Sequence, residues 1–354
     1  MFGFIKKKAK LYFIDALGAM AQGLFCSLLI GTIIKTIGTQ THINVISDLL
    51  VNIGNYAQQM AGPAMAVSIG YAMKASPLVL FSLAAVGTIA NSEGGAGGPL
   101  AVFFVAIIAA EFGMLVSKKT RIDILVTPAV TILVGGLISH YTAPAIGNVA
   151  VSFGGLIQDA TVLQPLLMGI LVSVLVGIAL TLPISSAAIC ASLVLTGLAG
   201  GAAVAGCCAQ MVGFAVMSYR QNKIGGLISQ GLGTSMLQMP NIVRHPQIWV
   251  APILTSAVTG PLATCVFKLT MNGAAVNSGM GTCGLCGPIG VITGWFTPSE
   301  AAIERGALAI TPTAFDWIGL LLIAIVLPAV LTPIFNGILI KLGIVKPDYL
   351  KLPQ

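Results

Sequence analysis

Glu93 follows Asn91 and Ser92, opens the run Gly94-Gly95-Ala96-Gly97-Gly98-Pro99, and has long uncharged stretches on both sides. A carboxylate in apolar surroundings is expensive, so one kept there beside an amide and a hydroxyl is a candidate binding group. Three further segments put polar side chains beside small or helix-breaking residues: Leu182-Pro183-Ile184-Ser185-Ser186, Gly231-Leu232-Gly233-Thr234-Ser235, and Gly281-Thr282-Cys283-Gly284. The second runs on through Gln238 and Asn241 to Arg244, His245 and Pro246. Amides, hydroxyls and a carboxylate are the groups that hold a neutral polyol, through many directed hydrogen bonds beside an apolar or aromatic surface. The expected solute contacts are therefore Asn91, Glu93, Ser185, Ser186, Thr234, Ser235, Gln238 and Asn241, acting as hydrogen-bond partners and not as nucleophiles.

The elements that must carry these groups are membrane helices. Ala160 to Tyr219 is sixty residues without Asp, Glu, Lys, Arg or His, enough for about three crossings at ~20 residues each. With 56% hydrophobic and 8% charged residues, a water-soluble fold would have almost nothing to cover its surface. Other charge-poor runs at 75–92, 94–110, 124–158, 224–243, 246–267, 269–299 and 317–340 raise the expectation to about ten segments. Strands of a membrane barrel would alternate apolar and polar residues, and these runs do not. The fold class expected is all-α: a polytopic helical bundle with re-entrant hairpins, forming one membrane domain over 1–354. An irregular backbone at bilayer depth is tolerated where it is buried in protein or lines a wet cavity, so polar breaks of this kind point to a carrier. At Gly197, Gly200 and Gly201 close helix packing explains the residue type.

The net charge of +7 reports sidedness and not nucleic-acid binding, because cytoplasmic loops retain Lys and Arg. Lys6, Lys7, Lys8 and Lys10 precede the first apolar segment, Lys118, Lys119 and Arg121 share a short break, and Lys341, Lys346 and Lys351 follow the last one. All three clusters are expected in the cytoplasm of a bacterial cell, with an even number of crossings between each pair. The basic start leads directly into further apolar sequence and reads as a retained first helix, not a secretory signal. Glu111 can snorkel toward the Lys118 cluster, Asp15, Asp123 and Asp159 border apolar runs at the interface, and His245 offers a proton or phosphate role. The seven cysteines lie mostly in apolar runs, and Cys283-Gly284-Leu285-Cys286 lacks a second ligand pair, so neither metal nor cofactor is expected. Val126-Thr127-Pro128-Ala129-Val130-Thr131 and Val250-Ala251-Pro252-Ile253-Leu254-Thr255 echo one another, as in carriers built from paired repeats.

From Ala66 to Gly290 the chain resembles the membrane-embedded IIC component of the bacterial phosphoenolpyruvate-dependent sugar phosphotransferase system. The resemblance is closest to the compact fructose-like type. Its carriers are Ala66-Val67-Ser68-Ile69-Gly70-Tyr71-Ala72 with Pro77, Gly95-Ala96-Gly97-Gly98-Pro99 running into 101–110, Leu125 and Pro128, and Pro183-Ile184-Ser185-Ser186-Ala187-Ala188. The segments 231–241 and 281–290 resemble a stand-alone branch with toxin-regulator-like members. The resemblance implies a homodimeric permease that binds a sugar near mid-membrane, moves it by alternating access, and depends on separate IIA and IIB phosphocarrier partners. Fructose-type members carry a glutamate in a Thr-Glu-Gly-like motif of the second half, where this chain has Gly233-Thr234-Ser235 and no acid. That departure keeps two other readings open, a membrane sensor that retained the carrier fold and an ion-coupled carrier without phosphotransfer.

Overall fold

A computed structural model describes residues 7–41 and 44–352; Lys6 of the first basic cluster lies outside the described residues. No strand occurs among them, only an isolated antiparallel bridge between Gly197 and Met271. The chain forms two compact units, up to Val151 and from Ser152. Six helices among the described residues are long and apolar enough to cross a membrane, and two more, Pro165–Thr181 and Cys283–Phe296, are apolar but shorter.

Unit one begins with α1 (Lys7–Gln40), followed by α2 (Asn44–Gln59) and α3 (Ala61–Ala72). These pack antiparallel to α1 through glycines: a Cβ on Gly31 would stand 2.8 Å from the Gly54 carbonyl oxygen, and one on Gly23 would stand 2.4 Å from that of Ala64. The apolar stretch Pro77–Val116 folds into a hairpin of α4 (Pro77–Gly94) and α5 (Gly98–Val116). Its two open ends are tied by the Ser76–Ser117 hydroxyl pair at 2.8 Å. The tip is a single tight turn at Gly95–Gly97, where Gly95 takes a φ of +51° that a side chain would resist. Each arm is about 28 Å long at ~1.5 Å per residue, close to a bilayer core of ~30 Å. Helix α6 (Asp123–Thr161), which contains Pro128 and Pro144, begins in unit one and runs past its end at Val151. Lys8 pairs with Glu111, which also accepts from the Tyr12 hydroxyl at 2.6 Å. Lys8 thus lies at the open end of the hairpin, the end that also holds Lys74 and Lys118.

Unit two is built around α9 (Gly197–Met217), which is buried along nearly its whole length between α7 (Pro165–Thr181), α12 (Val250–Pro261) and α14 (Ala314–Lys341). Glycine makes this possible. A Cβ on Gly206 would lie 1.8 Å from the Ser173 carbonyl oxygen, and one on Gly260 would lie 2.0 Å from that of Gly169. At this separation hydroxyls bond across helices, Ser173 to the Ser256 carbonyl at 2.7 Å and Thr255 to Thr332 at 2.8 Å.

Three expected spans take other forms. The charge-free stretch from Ala160 to Tyr219 yields the shorter α7, the long α9 and the seven-residue α8 (Ser186–Ser192), because residues 182–185 and the turn at Val194 and Gly197, both at positive φ, break it. Residues 224–243 are divided between α10 (Tyr219–Ile228), bent at Lys223 with φ +54°, a π-helical turn, extended Thr234, and α11 (Met239–Arg244). Residues 269–299 run extended through Met271 and form α13 (Cys286–Phe296) only after a double turn at Gly281 and Gly284, both at positive φ. The two echoing segments open α6 and α12. No disulfide forms among the described cysteines.

Gly206→Ala is expected to lower stability by about 3 kcal/mol, since the added methyl must force two backbones apart. Gly155→Ala, which meets nothing within 4 Å, should raise it by about 0.5–1 kcal/mol. Thermal melting of the detergent-solubilised chain reads both.

Candidate functional site

In unit two the polar breaks converge on α9. Ser186 at the start of α8 donates its hydroxyl to the Gly279 carbonyl at 2.7 Å, Ser278 donates to the Leu195 carbonyl at 2.6 Å, and the Gly197–Met271 bridge closes the same corner. Thr282 in the fourth break donates to the Gly231 carbonyl in the third at 2.5 Å. Thr181, at the end of α7, shares a hydrogen bond with Ser235 at 2.8 Å. Segments far apart in sequence thus meet within the length of one helix.

Beside the Thr181–Ser235 pair sits Gln210. Its Oε1 accepts from the Trp249 indole N–H at 2.9 Å and from the Thr181 hydroxyl at 3.3 Å. Its Nε2 is buried and has no hydrogen-bond partner among the described residues. A buried amide donor left unpaired costs on the order of 1–3 kcal/mol, so its position invites an acceptor that the described residues do not supply. Gln210, Thr181 and Trp249 are absent from the residues expected from sequence. A signal for the first exists there, because Gln210 is the only amide or charged side chain in the 21 residues of α9.

The expected contacts divide into groups. Ser185 caps α8, accepting from the Ala188 N–H at 3.2 Å, and Thr234 caps the next turn, accepting from the Met236 N–H at 3.1 Å. Ser186 and Ser235 bridge separate breaks, through the Gly279 carbonyl and the Thr181 hydroxyl. Gln238 and Asn241 hold the C-terminal segment: Gln238 Nε2 donates to Gln230 Oε1 at 2.8 Å and to the Leu350 carbonyl at 3.1 Å, while Asn241 Nδ2 donates to Gln238 Oε1 at 2.7 Å and to the Lys351 carbonyl at 2.8 Å. Asn222 completes the clamp, donating to the Leu350 carbonyl and accepting from the Leu352 N–H. His245 belongs here too, stacked on Tyr349 at 3.6 Å with the rings 7° from parallel. Partial burial, aided by the neighbouring Arg244 cation, lowers its pKa below the ordinary imidazole value and favours the neutral ring in this stack.

Asn91 and Glu93 lie in unit one at the hairpin tip. Asn91 faces Gly98 so closely that a Cβ there would stand 2.7 Å from its Oδ1. Glu93 is partly exposed and lies 3.6 Å from His140 Nδ1 on α6, an ion pair whenever the imidazole is protonated. The tip is the end of the hairpin away from Lys8, Lys74 and Lys118.

A polytopic helical bundle whose buried hydroxyls and amides gather at broken helices is a membrane transport protein in its class. The chain belongs to the EIIC family of the phosphotransferase system: the family model described as "Phosphotransferase system, EIIC" matches residues 14–352. No curated protein and no solved structure matches it. Membership makes it a multi-pass bacterial membrane protein and the membrane component of phosphotransferase sugar transport.

Asn222→Ala removes both side-chain bonds to the terminal segment. Carboxypeptidase should trim residues after Lys346 several-fold faster in this variant than in the parent, with the helical circular dichroism unchanged.

Proposed function

We propose that the chain is the sugar-translocating permease of a phosphotransferase system, and that in unit two the sugar is held at Thr181, Gln210, Ser235 and Trp249. The supporting observation is the unpaired Gln210 Nε2 beside two hydroxyls and an indole. A sugar hydroxyl can accept from that amide and donate to a neighbouring oxygen at once, and the indole face suits the apolar side of a pyranose or furanose ring. Ser185, Ser186 and Thr234 serve this site by fixing the ends of the broken segments around it, and Gln238 and Asn241 border it from the tail clamp. In unit one, Asn91 and Glu93 are the proposed polar contacts at the hairpin tip. Access to the site alternates between the two faces of the membrane, with the cation-bearing end of unit one and both termini in the cytoplasm. The working form is a homodimer served by separate IIA and IIB phosphocarriers, and the solute is a sugar of the fructose-like class.

A sensor with retained carrier fold is the second reading. It is favoured by one observation: among the described residues no carboxylate hydrogen-bonds into the Thr181–Gln210–Ser235–Trp249 cluster, although fructose-like permeases are expected to carry one in that half. Liposomes containing the chain separate the readings. Sugar uptake that appears only with phosphorylated IIA and IIB supports the permease, binding without uptake supports the sensor, and uptake on an ion gradient alone supports a coupled carrier.

Gln210→Met should reduce uptake at least tenfold while changing stability by no more than about 1 kcal/mol, since the variant loses the Trp249 and Thr181 bonds but also the unpaired donor. Glu93→Gln should likewise sharply weaken uptake. Normal transport by either variant would remove that residue from the proposed site.

A further inference from the structure

A cavity of about 600 Å³ opens in unit two between the end of α9, α10, the last turns of α14 and the terminal segment. It is separate from the Gln210 cluster, and its occupant is independent of the proposed sugar site. Its walls are mostly apolar, from Met217, Leu227, Pro333, Ile340 and Leu350 among others. Set into those walls are polar groups that the chain leaves unsatisfied. Asn336 is only 5% exposed, and its Oδ1 has no hydrogen-bond partner among the described residues. Gln221 Oε1 is also buried and unpartnered among the described residues. Both residues line the cavity, together with Arg220, which pairs with no carboxylate among the described residues.

Each feature constrains the occupant. An unpaired guanidinium beside a pocket selects an anion, and phosphate suits its fork of donors. Two buried amide oxygens require a ligand with hydrogen-bond donors; a hydroxyl serves whichever way each amide is turned. The long apolar walls would be wasted on a free phosphorylated polyol, whereas they match the first methylenes of an acyl chain. Position agrees with this. Asn336 lies about 7.5 Å along the helix from Lys341 at ~1.5 Å per residue, and Lys223, Lys341 and Lys346 mark this end of the unit as the charged interface. The outer faces of α10 and α14 are apolar and exposed at Ile224, Ile228, Ile334 and Ile338, as a lipid-facing surface would be.

We infer that this cavity is a specific site for an anionic glycerophospholipid with a hydroxylated headgroup. Arg220 takes the phosphate, Asn336 and Gln221 take the headgroup hydroxyls, and the apolar walls take the start of one acyl chain. Pro347 and Leu350 form part of the wall, and the Asn222 and Gln238 bonds to the Leu350 carbonyl hold that part in place.

The test is lipid titration of the purified full chain in mild detergent, read by native mass spectrometry, with phosphatidylglycerol, phosphatidylcholine and glycerol 3-phosphate as probes. Phosphatidylglycerol should bind at least tenfold more tightly than phosphatidylcholine, which carries the phosphate but no donor. Arg220→Gln and Asn336→Leu should each reduce phosphatidylglycerol binding at least tenfold, while Arg121→Gln and Gln210→Met leave it unchanged. Arg220 is exposed, so its variant decides the matter if Asn336→Leu fails to fold. Equal retention of phosphatidylglycerol by Arg220→Gln and the parent, or equal binding of the two lipids, overturns the inference. Glycerol 3-phosphate binding as tightly as the lipid, with the same sensitivity to Arg220→Gln, overturns it in favour of a soluble polyol phosphate.

Discussion

Backbone-to-backbone contact at glycine is the constraint on which unit two depends. Gly206 against Ser173, Gly260 against Gly169 and Gly201 against the Leu269 carbonyl each leave no room for a methyl group. Lipid tails are as apolar as leucine, so hydrophobicity alone gives membrane helices little reason to associate. Close packing and inter-helix hydrogen bonds supply it instead. The bonds from Ser173 to Ser256 and from Thr255 to Thr332 exist because the glycines let the helices approach to that distance. With α9 enclosed in this way, the broken segments on either side have a rigid post to fold against.

That post also makes the irregular backbone tolerable. Around α9 the chain leaves helical geometry near residues 182–185, 193–196, 234 and 268–274, and each departure frees N–H and C=O groups that hydrocarbon cannot satisfy. Much of the burden falls on side-chain hydroxyls bonding carbonyls of another break: Ser186 to Gly279, Ser278 to Leu195, Thr282 to Gly231. The result is a polar interior assembled from distant sequence, in which Gln210 keeps one donor unused. The terminal segment is handled by the same chemistry with amides in place of hydroxyls, through Asn222, Gln238 and Asn241.

The helical class and the positions of the breaks are legible in sequence because both rest on local properties. Sixty residues without charge describe a membrane segment wherever they fold, and Pro183, Gly233 or Gly281 interrupt a helix for reasons confined to a few bonds. The partners of polar residues are not legible in the same way. Gln238 and Asn241 have the right chemistry for a sugar, yet their amides reach Leu350 and Lys351 at the far end of the chain, and nothing near either residue encodes that encounter. Ser185 and Thr234 have the chemistry of solute contacts as well, whereas their side chains bond backbone N–H groups two or three residues on, as hydroxyls before a helical turn commonly do. Gln210 is neither charged nor at a break, so the two features that single out candidate residues pass it by. The hairpin of α4 and α5 is half visible: Gly95 to Pro99 announce the turn, but contacts such as Ser76–Ser117 and Gly113 against Val79 are needed to show that the arms return to the same level.

Whether the buried cluster around Gln210 is where a sugar is held can be read most directly from tryptophan emission. Trp249 donates its indole N–H to Gln210, and the chain's other tryptophans, Trp295 and Trp317, pack against each other. In a chain carrying Trp295→Phe and Trp317→Phe, titration with a sugar shown by equilibrium dialysis to bind should change Trp249 emission saturably, with the midpoint of the dialysis curve. Unaltered Trp249 emission across the range in which dialysis shows the sugar bound would contradict this placement.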